Sequence, residues 1–378
     1  MEEYQLIRKW LAIGIILLFV GGCFVPAMAH DIKTSLQASS GDWLYVGGSG
    51  PGNYTRIQDA INNASDGDTV FVYNDSSPYS EALEVNRSIS LLGEEKHTTI
   101  IDPGIIKDIP ALNISVDAVV VQGFTIQNST TTNWSHYAAG IFITADNVRI
   151  TDTIIKENSC GISIGGRIKT TLYGANHCFI EENDITNNHR GIYLDHANYS
   201  TIRHNHISVN LEGISLQNCH SNLITLNDIT ENDGTGIGVI ETTNTSILQN
   251  NITSNQIGFD IIESSKNSIE QNNIYRNGIR NVFGLCTLYI SLLTKSKPFD
   301  NTWDGNYWGR TYQAPKPIVG FLFFLFPSVI LSGFLQPLKL LEILLTGSGG
   351  YSVVPLGIPI VKYDRHPAQE PYDIPGLT

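Results

Sequence analysis

The chain has 378 residues and a formal net charge of −13 at pH 7. With that balance and no basic stretch, nucleic acid is excluded as a partner. Its five cysteines contain no CxxC spacing, which excludes a zinc ribbon.

The N-terminus reads as a targeting segment. Arg8 and Lys9 precede an apolar run from Trp10 to Val25, and Ala27-Met28-Ala29 has the form of a cleavage site. Residues 1–29 are predicted to be a signal peptide, so the protein is exported to the cell surface or the medium. A lipid-modified Cys23 and an uncleaved anchor are the alternatives. Sequons such as Asn53, Asn128 and Asn198 agree with export to a glycosylating compartment.

Trp43-Leu44-Tyr45-Val46 reads as a short strand. Ile57, Ala60, Ile61 and Ala64 then share one helical face, which predicts a capping helix over 55–65. An open solenoid end exposes apolar side chains and unpaired edges, and such a helix covers them. Strands follow at Thr69 to Tyr73, Glu81 to Val85 and Ile89 to Leu92, then in longer, irregular coils up to Ile143.

From Thr153 the chain repeats itself. Asn-x-Ile-x-x-Asn returns with its first Asn at Asn183, Asn205, Asn227, Asn250 and Asn272, in steps of 22 or 23 residues. A glycine follows in phase at Gly161, Gly191, Gly213, Gly236 and Gly258. Apolar residues two apart, such as Ile192 and Leu194, give the period of strands. About 22 residues accommodate three short strands and their turns, stacked at roughly 4.8 Å. The fold class is therefore all-β: a parallel β-helix over 43–310, with regular coils at 153–280. The recurring Asn should form a structural ladder, each amide bonded to the next. The recurring Gly should mark a place where a Cβ would clash or φ is positive.

Cys160 and Cys178 bracket an inserted loop at Gly165 to Asn176. They either bridge it or lie as buried thiols in the coil. After Asn281 the period fails. The aromatic segment around Asn306-Tyr307-Trp308 closes the far end, and residues 311–378 form a tail. Its stretch 318–338 is apolar and long enough to span a bilayer, with a hydrophobic lid on the solenoid as the rival.

Ile57-Gln58-Asp59-Ala60-Ile61, Asp66-Gly67-Asp68-Thr69-Val70 and Ile89-Ser90-Leu91-Leu92-Gly93 resemble the opening of right-handed parallel β-helix surface proteins. The repeats resemble those of the pectin-lyase-like class of carbohydrate-binding proteins and sugar hydrolases. With Asn306-Tyr307-Trp308 as a closing motif, the chain is most similar to NosD-like periplasmic copper-binding proteins. The likeness covers residues 43 to 310. It implies a fold that hosts lyases, hydrolases, epimerases, adhesins and metal-delivery proteins, so function must be sought in a site.

Stacking turns sequence phase into columns. Asp184, His206 and Asp228 fall in one, Glu181 and Arg203 in another, and His196, Asn218, Glu241 and Glu263 in a third. The first column reads as charge pairing on a solvated face, as a metal site, or as acid–base groups. Asp184 and Asp228, two coils apart, lie near the separation for inverting glycosidases, and Glu241 and Glu263 near that for retaining ones. His196, His204 and His206 are the candidate metal ligands, for a divalent cation such as copper or calcium. Trp134, Tyr137, Tyr193 and Tyr199 are the candidate sugar-stacking rings, with Tyr193 facing outward between inward Ile192 and Leu194. The leading expectation is a cell-surface scaffold that binds polysaccharide or an envelope glycan, associated with the membrane through 318–338. A polysaccharide lyase or hydrolase and a copper-handling accessory protein are the alternatives.

Overall fold

A computed structural model describes residues 41–104, 108–131, 138–168, 171–278, 280–287, 300–310, 316–327 and 351–374. Within them the chain winds through three sheets, consistent with a right-handed parallel β-helix. The first sheet has eleven strands, from Trp43–Val46 to Thr302–Asp304. The second has eight, from Ile100–Ile101 to Asn273–Tyr275. The third has twelve, beginning at Leu83–Val85 and ending at Tyr351–Asp364.

Each regular coil puts large apolar side chains of every strand into the same interior, one from each strand of the first and second sheets. Ile180, Ile202, Ile224, Ile247 and Ile269 pair in register down the first sheet. Ile185, Ile207, Ile229, Ile252 and Ile274 do so down the second. All ten are fully buried. The β-branched side chain suits this position, since its restricted χ1 fits a pleated surface packed against identical neighbours.

The corner between the first and second sheets is made by two residues. Glu182, His204, Leu226, Gln249 and Gln271 hold left-handed φ values of 59°, 53°, 58°, 55° and 55°. The buried Asn that follows each one stitches coil to coil. Asn183 donates from its backbone N and its Nδ2 to Asn205 Oδ1, at 3.1 and 3.0 Å, and Asn205 Nδ2 donates to Ile180 O at 2.8 Å. The pattern repeats through Asn227, Asn250 and Asn272 to Asn306. There Asp364 Oδ2 accepts from Asn306 N, Asn306 Nδ2 and Trp308 Nε1. A second ladder runs from Asn158 through Asn188, Asn210, Asn232 and Asn255 to Asn277. The recurring glycine is required by close approach: a Cβ on Gly213 would lie 2.5 Å from Gly236 O.

The capping helix spans Ile57–Asn63, two residues shorter at each end than the apolar pattern suggested. It buries Ile57, Ala60 and Ile61. Its free N–H groups are met by a distant carboxylate: Ile57 N and Gln58 N donate to Glu81 at 2.8 and 3.1 Å.

Of the apolar segment 318–338, residues 328–338 lie outside the described residues. Lys316–Pro327 lies parallel on Arg280–Thr287 and antiparallel to Tyr351–Asp364, so the third sheet continues past residue 310. The apolar stretch through Pro327 is thus a strand, its backbone paired on both edges. Among the described residues no helix is long and apolar enough to cross a membrane. Cys160 and Cys178 are separate buried thiols. Cys178 lies in the coil core, while Cys160 lies with Ala139, Phe142 and Tyr193 in a second cluster. Burial pushes both thiols up to about 12, far from a reactive range.

Candidate functional site

The expected columns exist, and their charges are largely occupied with one another. Asp184, His206 and Asp228 are in register on the second sheet. His206 Nδ1 is 3.1 Å from Asp228 Oδ2, and Asn251 Nδ2 donates to Asp228 Oδ1 at 2.7 Å. Lys96 Nζ lies 3.5 Å from Asp184 Oδ2 and 3.0 Å from Asp152 Oδ1. The Asp228 hydrogen bond raises the His206 pKa above its ordinary value. Glu241 and Glu263 stand elsewhere, at the turn leaving the third sheet, with left-handed φ values of 48° and 51°. The two acidic pairs therefore belong to different corners. His196 sits at that same turn, 2.6 Å from Asp195 Oδ1. His204 and His206 flank Asn205 at the entry to the second sheet, so the three histidines do not converge. Burial and then Arg203 lower the His204 pKa. Among the described residues no group of three or more His, Cys, Asp or Glu could hold a metal ion.

Of the four proposed stacking rings, Tyr199 is 53 % exposed, held between His177 and His220 at 5.2 and 5.1 Å. Tyr193 corrects the expectation. It lies between inward Ile192 and Leu194, yet only 3 % of it is exposed. Arg190 covers its ring at 5.0 Å and its hydroxyl donates to Gln217 at 2.9 Å, so it offers no open face. Burial pushes its phenol far above the usual range. Trp134 and Tyr137 lie outside the described residues, as does the signal segment at 1–29.

The outer face of the first sheet carries a ring cluster that the sequence reading passed over. Trp43 and Tyr45 point away from the core, opposite inward Leu44 and Val46, and are 51 % and 38 % exposed. Register sets Tyr45 against Phe71 on the next coil. Ring centroids of Trp43–Tyr45, Trp43–Phe71, Tyr45–Phe71 and Tyr45–Tyr73 are each 6.2 Å apart, and Phe71–Tyr73 are at 5.1 Å. The signal was present: two consecutive coils each place two aromatics two residues apart, the spacing that puts both on one face.

Further along the same face lies a charged cluster. Glu181 is buried between two guanidinium groups. Arg203 Nε and Nη2 reach its Oε2 at 2.7 and 2.6 Å, and Arg149 Nη1 contacts its Oε1. Arg149 also lies over the Phe179 ring at 4.7 Å. Burial, and then the Arg203 cation, lower the Arg149 pKa.

A family model described as "Periplasmic copper-binding protein (NosD)" matches residues 61–313. The chain belongs to the NosD family. No curated protein matches it. Among solved structures this NosD-family chain is similar to the enzymatically active domain of tailspike protein 2 from bacteriophage CBA120. The identity is 13 %, the TM-score is 0.44, and 69 % of this chain covers 45 % of that one. It is also similar to the A-module of mannuronan C-5 epimerase AlgE4 from Azotobacter vinelandii (15 %, TM-score 0.43, covering 67 % and 83 %). A third is DFA-IIIase from Arthrobacter chlorophenolicus (12 %, TM-score 0.49, covering 79 % and 89 %).

Proposed function

We propose that this chain is an exported β-helix scaffold that binds polysaccharide along the outer face of its first sheet. The observation that carries this reading is the ring cluster on adjacent coils, with Trp43 and Tyr45 exposed and Phe71 and Tyr73 half-buried beside them. Contiguous rings supply broad apolar area on which the C–H face of a sugar can lie. Rigid strands hold the rings in place, so little side-chain freedom is lost on binding. The polymer axis would follow the coil stack, as the long surfaces of solenoids favour. Binding is preferred over cleavage because Asp184 and Asp228 are taken up in cross-coil bonds.

Copper, from the family description, is the second reading. The described donors fit it poorly. Cys160, Cys178 and Cys219 are buried, and His196, His206 and His366 each pair singly with an acid. Copper would then draw on ligands beyond these residues.

The test is affinity electrophoresis of the full chain in gels containing soluble polysaccharides. Replacing both Trp43 and Tyr45 with Ala should abolish retardation, while Tyr199→Ala leaves it unchanged. Equal retardation of the double variant and the wild type would refute the platform. A copper titration of the same preparations that gives one tight equivalent, unaffected by those substitutions, would favour the second reading.

A further inference from the structure

Resting on the glycan reading, we infer that the polymer this face takes is acidic, and that Arg149 and Arg203 receive its carboxylate or sulfate groups. The two guanidiniums stand on the outer surface of the ring cluster's own sheet. Strand order places Arg149, Glu181 and Arg203 on three successive coils. The strand bearing Phe71 is three strands from the one bearing Arg149. At roughly 4.8 Å per strand, the rings and the cations are about 15 Å apart, a span that a few sugar units bridge.

The charges do not balance. Two guanidiniums face one carboxylate, so the cluster keeps a net positive charge inside a chain of net −13. One cation neutralises a single carboxylate, and a second brought against the first adds repulsion. Burial lowers the pKa of Arg149, and Arg203 lowers it further, the direction that repulsion gives. Donor capacity points the same way. Each guanidinium has five N–H donors. Glu181 takes one contact from Arg149 and two from Arg203, which leaves donors in a fork geometry that matches a second carboxylate or a sulfate. Both side chains are only partly buried, so a ligand group reaches them from solvent. The Phe179 ring packs against the Arg149 guanidinium at 4.7 Å and helps to fix its position. The acidity of the rest of the molecule is screened beyond roughly 8 Å at physiological salt, so the local excess governs contact.

The probes are oligogalacturonate, its methyl ester and dextran sulfate, titrated calorimetrically into the full chain. Wild type should bind a charged probe at least tenfold more tightly than the ester. Arg203→Gln should remove that preference and leave the affinity for the ester unchanged. Glu181→Gln frees both guanidiniums and should tighten charged-probe binding severalfold. This arm does not depend on the Arg203 variant folding, and circular dichroism melts of both variants accompany the titrations. Preference for oligogalacturonate assigns a carboxylate, and preference for dextran sulfate assigns a sulfate. The clamp is overturned if Glu181→Gln leaves charged-probe affinity unchanged, or if Arg203→Gln weakens ester and acid alike. In that event, ester binding that is lost with Trp43 and Tyr45 leaves the platform standing. Failure of every probe to bind wild type overturns both.

Discussion

The regular coils and the opening coils solve the same corner with different side chains. Position for position, Phe124, Thr153 and Asn183 occupy one column, and Gly123, Asp152 and Glu182 hold left-handed φ just before it. The backbone bend is constant, while what fills the interior changes from a fully buried Phe to a chain of amides. Where the interior is a ladder, the outer face carries side chains paired across coils, such as Glu181 with Arg203 and His206 with Asp228. Where it is a plain hydrophobic core, the outer face carries exposed rings. The buried repeat thus marks what holds the molecule together, and the outer face, not bound by that repeat, carries both the rings and the Arg149–Glu181–Arg203 cluster.

That contrast is most sharply broken at two adjacent residues of one type. Asn250 is fully buried, accepts from Asn227 and donates to Ile224 O, Leu248 O and Asn272 Oδ1. Asn251 sits outside and donates to Asp228. Asn250→Ala should cost roughly 3 kcal/mol or more in urea unfolding, since several buried groups lose partners, and Asn251→Ala about 0.5 kcal/mol or less. Equal costs would deny the ladder its role. Next come two glycines of the third sheet. Gly213→Ala forces a Cβ to 2.5 Å from Gly236 O and should destabilise by about 1–3 kcal/mol, while Gly238→Ala, with nothing nearer than 3.8 Å, should be neutral or stabilising.

A smaller effect belongs to Asp260 on that sheet. Burial, and then the charge of Glu212, raise its pKa to about 6. The folded state therefore holds a proton that the unfolded chain releases near pH ~4. Its contribution to stability is full below that value and is lost as pH rises toward 6. Asp260→Asn should raise Tm relative to wild type at pH 7.5, with the difference vanishing near pH 4. A pH-independent difference would contradict the assignment. The smallest change is a gain. Val209 is exposed with φ of 55°, a left-handed conformation that costs a β-branched residue. Val209→Asn should add about 1 kcal/mol, visible as a higher urea midpoint.

The coil period, the ladder and the cross-coil pairs were legible because periodicity of residue type is itself the structural signal. Asn183 through Asn272 and the Glu181–Arg203 pair fall where stacking puts them. Burial on the outer face was less legible. Alternation says that Tyr193 points outward, but not that Arg190 and Gln217 close over it. The apolar run at 318–326 reads as a span or as a lid on the solenoid, because hydropathy does not carry pairing partners. The rings at Trp43 and Phe71 escaped notice since they lie outside the regular repeat. Asp364 was unreadable, being 58 residues from the Asn306 it serves.

That aspartate has a consequence for how such a molecule changes size. Each Asn side-chain oxygen in the column receives from the Asn one coil toward the N-terminus, and each Asn gives its backbone N–H and one Nδ2 hydrogen to the oxygen one coil toward the C-terminus, so this series has a direction, like a queue passing buckets one way. Only the last member lacks a recipient, and a side chain that can receive without giving ends the line there. A whole turn can be inserted or deleted anywhere upstream, and both extremities still find their mates. Length is thereby uncoupled from closure, and lineages can lengthen or shorten the tower without redesigning its top.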